Sequence, residues 1–109
     1  MDERDRLLFQ DIVEHAEEAR RYMAGVSPAK FRADRRLRLT IERLLEIVGE
    51  AAGGLSDAAR AEVEYDWRAV RGLRNVLTHQ YGAVDPDLVH RVVTARLPAL
   101  IAAIRRSLK

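Results

Sequence analysis

Cysteine is absent from this 109-residue chain. That excludes disulfides and thiolate metal sites, and it fits a reducing compartment. Glycine (6) and proline (3) are scarce, which argues against the turn-rich pattern of an all-β fold. No stretch approaches the ~18 apolar residues that a membrane span needs. The opening, MDERDRLLFQ, mixes acids and bases without an apolar run and does not read as a signal peptide. The expectation is a cytoplasmic protein without a membrane partner. Lysine is almost missing too: of 19 Lys and Arg, only Lys30 and Lys109 are lysines. Arginine binds carboxylates and phosphates through a planar fork. With 17 acids the net charge is only +2, however, so charge alone does not argue for nucleic acid. A GC-rich coding bias, with the arginines simply solvating helix faces, is the favoured reading of that excess.

What is present is an ordinary globular balance, 48% hydrophobic and 33% charged, in a length that suits one domain over 1–109. The periodicity is helical throughout. Leu8, Ile12, Ala16, Ala19 and Met23 form one stripe of a helix over about 3–24, with Gly25 as its breaker. A second stripe, Leu37, Ile41, Leu44, Val48 and Ala51, predicts a helix starting near 29 or 34 and running to 52, ended by Gly53-Gly54. Ser56 reads as the cap of a short helix. Trp67, Val70, Leu73 and Leu77 mark another helix, ending near Tyr81-Gly82. Asp85-Pro86 opens the last one, with an Asp cap and proline at the first helical position, and Pro98 should kink it near 94–97. The fold class is therefore all-α: an antiparallel four-helix-type bundle with a short extra helix.

Few side chains suit catalysis. His15 and His90 are expected at the surface or rim, and neither forms a metal-ligand pair. Gly53-Gly54 lacks the partners of a phosphate loop. No metal and no cofactor is expected. The segment Val70–Asp85, VRGLRNVLTHQYGAVD, differs in packing Arg71, Arg74, Asn75, Thr78, His79, Gln80 and Tyr81 into about three turns. Asn75 and His79 are helical neighbours. Arg74 and His79 point about 140° apart on one helix, so they would converge more naturally across the two-fold axis of a symmetric dimer.

The run Arg74-Asn75-Val76-Leu77-Thr78-His79-Gln80-Tyr81 resembles the R-N-x-x-x-H-x-Y signature of the HEPN superfamily, and more narrowly that of HepT-like ribonuclease toxins. Leu44–Ser56 (LLEIVGEAAGGLS) is similar to that family's LEIIGEA-x-x-LS. Trp67 to Asn75 is similar to its W-x-x-I-x-G-x-RN, and Val84-Asp85 and Leu97-Pro98-x-Leu100 to its VD and LP-x-L. Two departures stand out. Gln80 occupies a position where glycine is usual, and Gly53-Gly54 stands where a basic residue is usual, which can weaken RNA contacts.

The resemblance implies a HEPN-like bundle and the toxin of a type VII-like toxin–antitoxin pair. The implied activity is metal-independent RNA cleavage by Arg74, His79 and Asn75 at the cleft of a homodimer. Arg71, Thr78 and Gln80 are candidate RNA contacts. The implied partner is a minimal nucleotidyltransferase (MNT) antitoxin that transfers AMP to Tyr81, and a larger hetero-oligomer of the two is compatible with the resemblance. The chemistry of the residues agrees. RNA carries its own nucleophile, the 2′-OH, whose proton a neutral imidazole can take. An arginine fork stabilises the charge gathering on phosphorus, and Asn75 can fix the His79 tautomer or bind a phosphate oxygen. Two other readings stay open: a non-catalytic helical adaptor, and a module that grips a nucleotide or RNA phosphate without cleaving.

Overall fold

Capping side chains set most helix boundaries. In the computed structural model, residues 1–79 and 84–108 are described, with the backbone alone at Asn75, Val76, Thr78 and His79. Helix α1 (Glu3–Met23) starts behind Asp2 in a reciprocal capping box with Asp5. It stops at Ala24, and Gly25 follows at φ 75°, the left-handed conformation that glycine adopts without a Cβ penalty. Ser27 caps α2 (Pro28–Ala33), and Asp34 caps α3 (Arg35–Gly54). Both candidate starts of the second helix are therefore real, and a single extended residue separates two helices. Helix α3 takes in Gly53 and Gly54 and stops at Leu55, two residues beyond the expected boundary. Ser56 caps α4 (Asp57–Glu62) as expected.

Helix α5 spans Trp67–His79; its expected end near Tyr81-Gly82 lies outside the described residues. Asp85 and Pro86 open α6 (Pro86–Arg91). A π-helical turn, Val92–Arg96, joins α6 to α7 (Leu97–Ser107). Pro98 is the cause. It has no N–H for the carbonyl one turn back, and its ring would press on it. The register widens just ahead of it, and the Leu97 amide bonds the Val92 carbonyl five residues earlier. The expected kink is thus a widened turn.

Helix α3 lies between α1 and α5, while α7 and the π turn close against α1 and α2 packs on α6. There is no strand among the described residues. The core draws on the expected stripes, with Ile12, Ala16 and Ala19 of α1, Ile41 and Val48 of α3 and Val70 of α5 all buried, and Val93, Leu97, Leu100 and Ile104 of the last helical stretch are buried with them. Phe9 and Trp67 meet at a centroid distance of 6.0 Å and join α1 to α5.

One buried carboxylate organises the corner between α3 and α4. Asp5 is 2% exposed. Its oxygens accept from the Ser56 amide at 2.9 Å and the Ser56 hydroxyl at 2.7 Å. These bonds hold its pKa down at about 2. Its neighbour Arg4 donates to the Gly54 carbonyl at 2.7 Å, a cation on the negative end of the α3 dipole. Two adjacent residues of α1 therefore clamp the turn that launches α4.

Candidate active site

Helix α5 carries the candidate site, and α3 fixes its position. At their crossing the smallest residue faces the candidate catalytic arginine. A Cβ built on Gly49 would lie 2.9 Å from the Arg74 backbone nitrogen, 3.1 Å from the Arg74 Cβ and 3.3 Å from the Val70 carbonyl oxygen. Only a glycine lets the two backbones approach so closely. Glycine is a weak helix former, and the close approach is what it provides here.

From that anchor the Arg74 side chain reaches solvent. Its Nε stands 3.6 Å from Glu50 Oε1, and the two side chains are 56% and 46% exposed. Such a pair adds little to stability. It leaves the guanidinium open to an anion that can displace the carboxylate.

Beside this pair runs a cleft of about 860 Å³, between the end of α3, α4 and the start of α5. Arg60, Arg68, Arg71 and Arg74 line it, and Glu50 is its one acid among the described residues. Gly49, Gly53, Gly54 and Gly72 line it as well. Arg60 is tethered, donating to the Leu55 carbonyl at 2.6 Å and pairing with Asp57. Trp67 forms a buried wall, its indole N–H bonded to the Val63 carbonyl at 2.8 Å. Four arginines in a glycine-rich lining with a single acid among the described residues make a site for an extended anion.

Of the expected site residues, Arg71 and Arg74 are thus brought together at one cleft. Asn75, Thr78 and His79 follow on the backbone of α5. Gln80 and Tyr81 lie outside the described residues. His15 and His90 stand apart from the cleft. The His15 Nδ1 lies 2.6 Å from the Asp11 carbonyl within α1, and the His90 Nε2 lies 2.7 Å from the Val26 carbonyl. Both are half-buried and locally bonded, His90 because it ties α6 to the turn after α1. Sequence reasoning missed Gly49, Glu50, Arg60 and Arg68. The three-residue repeat Arg68, Arg71, Arg74 is a signal that could have found Arg68. An interior helical glycine at 49 is a signal of close helix approach.

The model of the family described as Ribonuclease HepT-like matches residues 12–107. The chain belongs to the HepT-like ribonuclease family. The matched span includes the whole cleft and the Arg74–Tyr81 run. Among curated relatives, a Methanocaldococcus jannaschii protein named as an RNase is 28% identical over 102 residues, covering 92% of this chain and 94% of that protein. A Thermococcus cleftensis protein named as ribonuclease HepT is 29% identical, with 84% of each chain covered. A Caldanaerobacter subterraneus protein named as an RNase is 26% identical, covering 95% of this chain and 94% of its own. No solved structure matches this HepT-like chain significantly.

Proposed function

We propose that this HepT-like protein is the ribonuclease toxin of a toxin–antitoxin pair, cleaving RNA without a metal at a cleft built on α5 and completed by a second copy of the chain. The observation that carries the reading is Arg74. It stands half exposed on a backbone wedged against Gly49, at the rim of a cleft lined by three further arginines. Arg74 is assigned to the non-bridging phosphate oxygens, where a guanidinium fork stabilises the charge that develops in the transition state. His79 is the general base. As the 2′-OH proton passes to its imidazole, the 2′-oxygen attacks phosphorus. The P–O5′ bond breaks, and the 5′-oxygen takes up a proton. The products are a 2′,3′-cyclic phosphate and a 5′-OH. Asn75, one helical turn before His79, orients the imidazole or binds phosphate, and Arg71, Thr78 and Gln80 contact the RNA. Control comes from a nucleotidyltransferase antitoxin of the MNT type. It moves AMP from ATP to the Tyr81 hydroxyl, with pyrophosphate leaving.

The test is to incubate the full chain with cellular RNA in EDTA and analyse the ends of the fragments. Cleavage to 2′,3′-cyclic phosphate and 5′-OH ends is expected. No cleavage, or cleavage that EDTA abolishes, contradicts the reading.

A further inference from the structure

We infer that the arginine cleft beside Arg74 is a phosphate track for single-stranded RNA, in which Arg68 and Arg71 grip backbone phosphates neighbouring the one held by Arg74. The inference rests on the ribonuclease reading for its ligand class, while its site stands on separate observations. The first is spacing. Arg68, Arg71 and Arg74 follow one another at three-residue steps along α5. Each step climbs ~4.5 Å and turns ~60° back around the helix, so the three forks fan across the cleft rather than stacking. The second is charge. Neither Arg68 nor Arg71 meets a carboxylate within ion-pair distance among the described residues, unlike Arg60 and Arg74.

The third observation is empty space. A Cβ built at Gly53 or Gly72 would touch nothing within 4 Å. These two helical glycines therefore serve no close packing, in contrast to Gly49. What they preserve is room, because both line the cleft. The fourth concerns the bases. Among the described residues the one aromatic residue of the cleft, Trp67, is buried with its N–H already bonded, so it offers no open ring for stacking. A groove with arginine forks and, among the described residues, no stacking platform reads the sugar–phosphate backbone, so binding should be salt-dependent and indifferent to sequence. Continuity with Arg74 favours RNA over an acidic peptide as occupant.

The test uses the full chain and a fluorescently labelled single-stranded RNA of twelve nucleotides with every 2′-OH methylated. This RNA can be bound but not cleaved. Affinity is measured by anisotropy from low to high salt. The Arg68→Gln/Arg71→Gln variant should bind at least tenfold more weakly at low salt. Its slope of log affinity against log salt should fall by ~1.4, the loss of two single-strand phosphate contacts at ~0.7 each. A charge-matched control, Arg21→Gln/Arg106→Gln on α1 and α7, should move the slope by less than half as much. Gly72→Leu should keep or raise Tm while weakening RNA binding severalfold, because its side chain enters the cleft. Equal losses in the double variant and the control would overturn the track. So would wild-type affinity in Gly72→Leu, or polyglutamate competing as well as RNA of equal charge. Failure of the ribonuclease reading looks different: the methylated RNA is bound with the expected slope, yet unmodified RNA is not cleaved.

Discussion

Gly49 leaves the space that the Arg74 backbone needs: a Cβ at position 49 would come within 2.9 Å of the Arg74 nitrogen, so this close approach of α3 and α5 sets the candidate catalytic arginine at the edge of its cleft. A methyl group at position 49 would meet the Arg74 main chain, which cannot rotate away as a flexible side-chain end could. Two effects oppose each other in Gly49→Ala. Alanine is favoured over glycine in a helix interior by ~1 kcal/mol, while overpacking a tight crossing costs about 1–3 kcal/mol. The net expectation is a modest loss of stability of ~1 kcal/mol. Activity should fall further, by about tenfold, because α5 is pushed outward and misplacement by fractions of an ångström is costly in catalysis. Thermal melts and RNA cleavage rates on the same samples check this. A more stable protein of full activity would show that the contact does not position Arg74.

Glu50 competes with substrate for Arg74. Removing its charge in Glu50→Gln should leave stability within ~1 kcal/mol of wild type, since the pair is half exposed. RNA should bind severalfold more tightly at low salt, and the gain should fade as salt screens it. Anisotropy titrations across salt concentrations decide it; unchanged or weaker binding would contradict a competing role.

The Asp5–Ser56 knot gives the fold an acid-sensitive point. The Asp5 pKa is about 2 in the folded chain against an ordinary value of 3.8. A carboxylate with a depressed folded pKa contributes stability in full above its unfolded value. That contribution is lost as pH falls through the folded one. Asp5→Asn should therefore lower Tm at neutral pH, and its deficit should shrink between about pH 4 and pH 2. A Tm difference that stays constant over that range would contradict the assignment.

Tyr81 is the proposed switch, and Tyr81→Phe separates modification from cleavage. The ring is kept and only the hydroxyl is lost. Cleavage should be largely intact, while sensitivity to the antitoxin is lost. Incubation with a partner nucleotidyltransferase, Mg²⁺ and ATP, followed by intact mass measurement, should show AMP added to wild type alone. Equal mass gain in both proteins, or none in wild type, would dispose of Tyr81 as the switch. In the proposed control the added phosphate competes with RNA for the active-site guanidinium, which is how the modification would act.

The bundle was legible because its signals are local. Ile12, Ala16, Ala19 and Met23 are buried as the helical period predicts, and Ser56 and Asp85-Pro86 start helices where their chemistry says they should. Two adjacent cap signals, Ser27-Pro28 and Asp34, left one start undecided because each serves its own helix. Asp5 was not legible. Its spacing, seven residues before Ile12, puts it on the core face of α1, but a carboxylate is not expected to be buried there, and only Ser56, 51 residues away, makes its burial possible. Arg74 and Arg71 were found through their motif. Arg68 and Arg60 were not, since a cleft is made by elements meeting, here the end of α3 with α4 and α5. Gly49 belongs to the same class: its partner is on another helix, and periodicity carries no information about it.

In the proposed mechanism His79 and Arg74 together cleave RNA. It is tested most directly by comparing cleavage of one defined single-stranded RNA, in EDTA, by wild type, His79→Ala and Arg74→Ala, with circular dichroism confirming that all three fold. Loss of the general base should lower kcat by ~10²–10⁴-fold, and loss of the guanidinium should lower it by about 10²–10³-fold. His79→Ala protein that is folded and cleaves as fast as wild type would contradict the account.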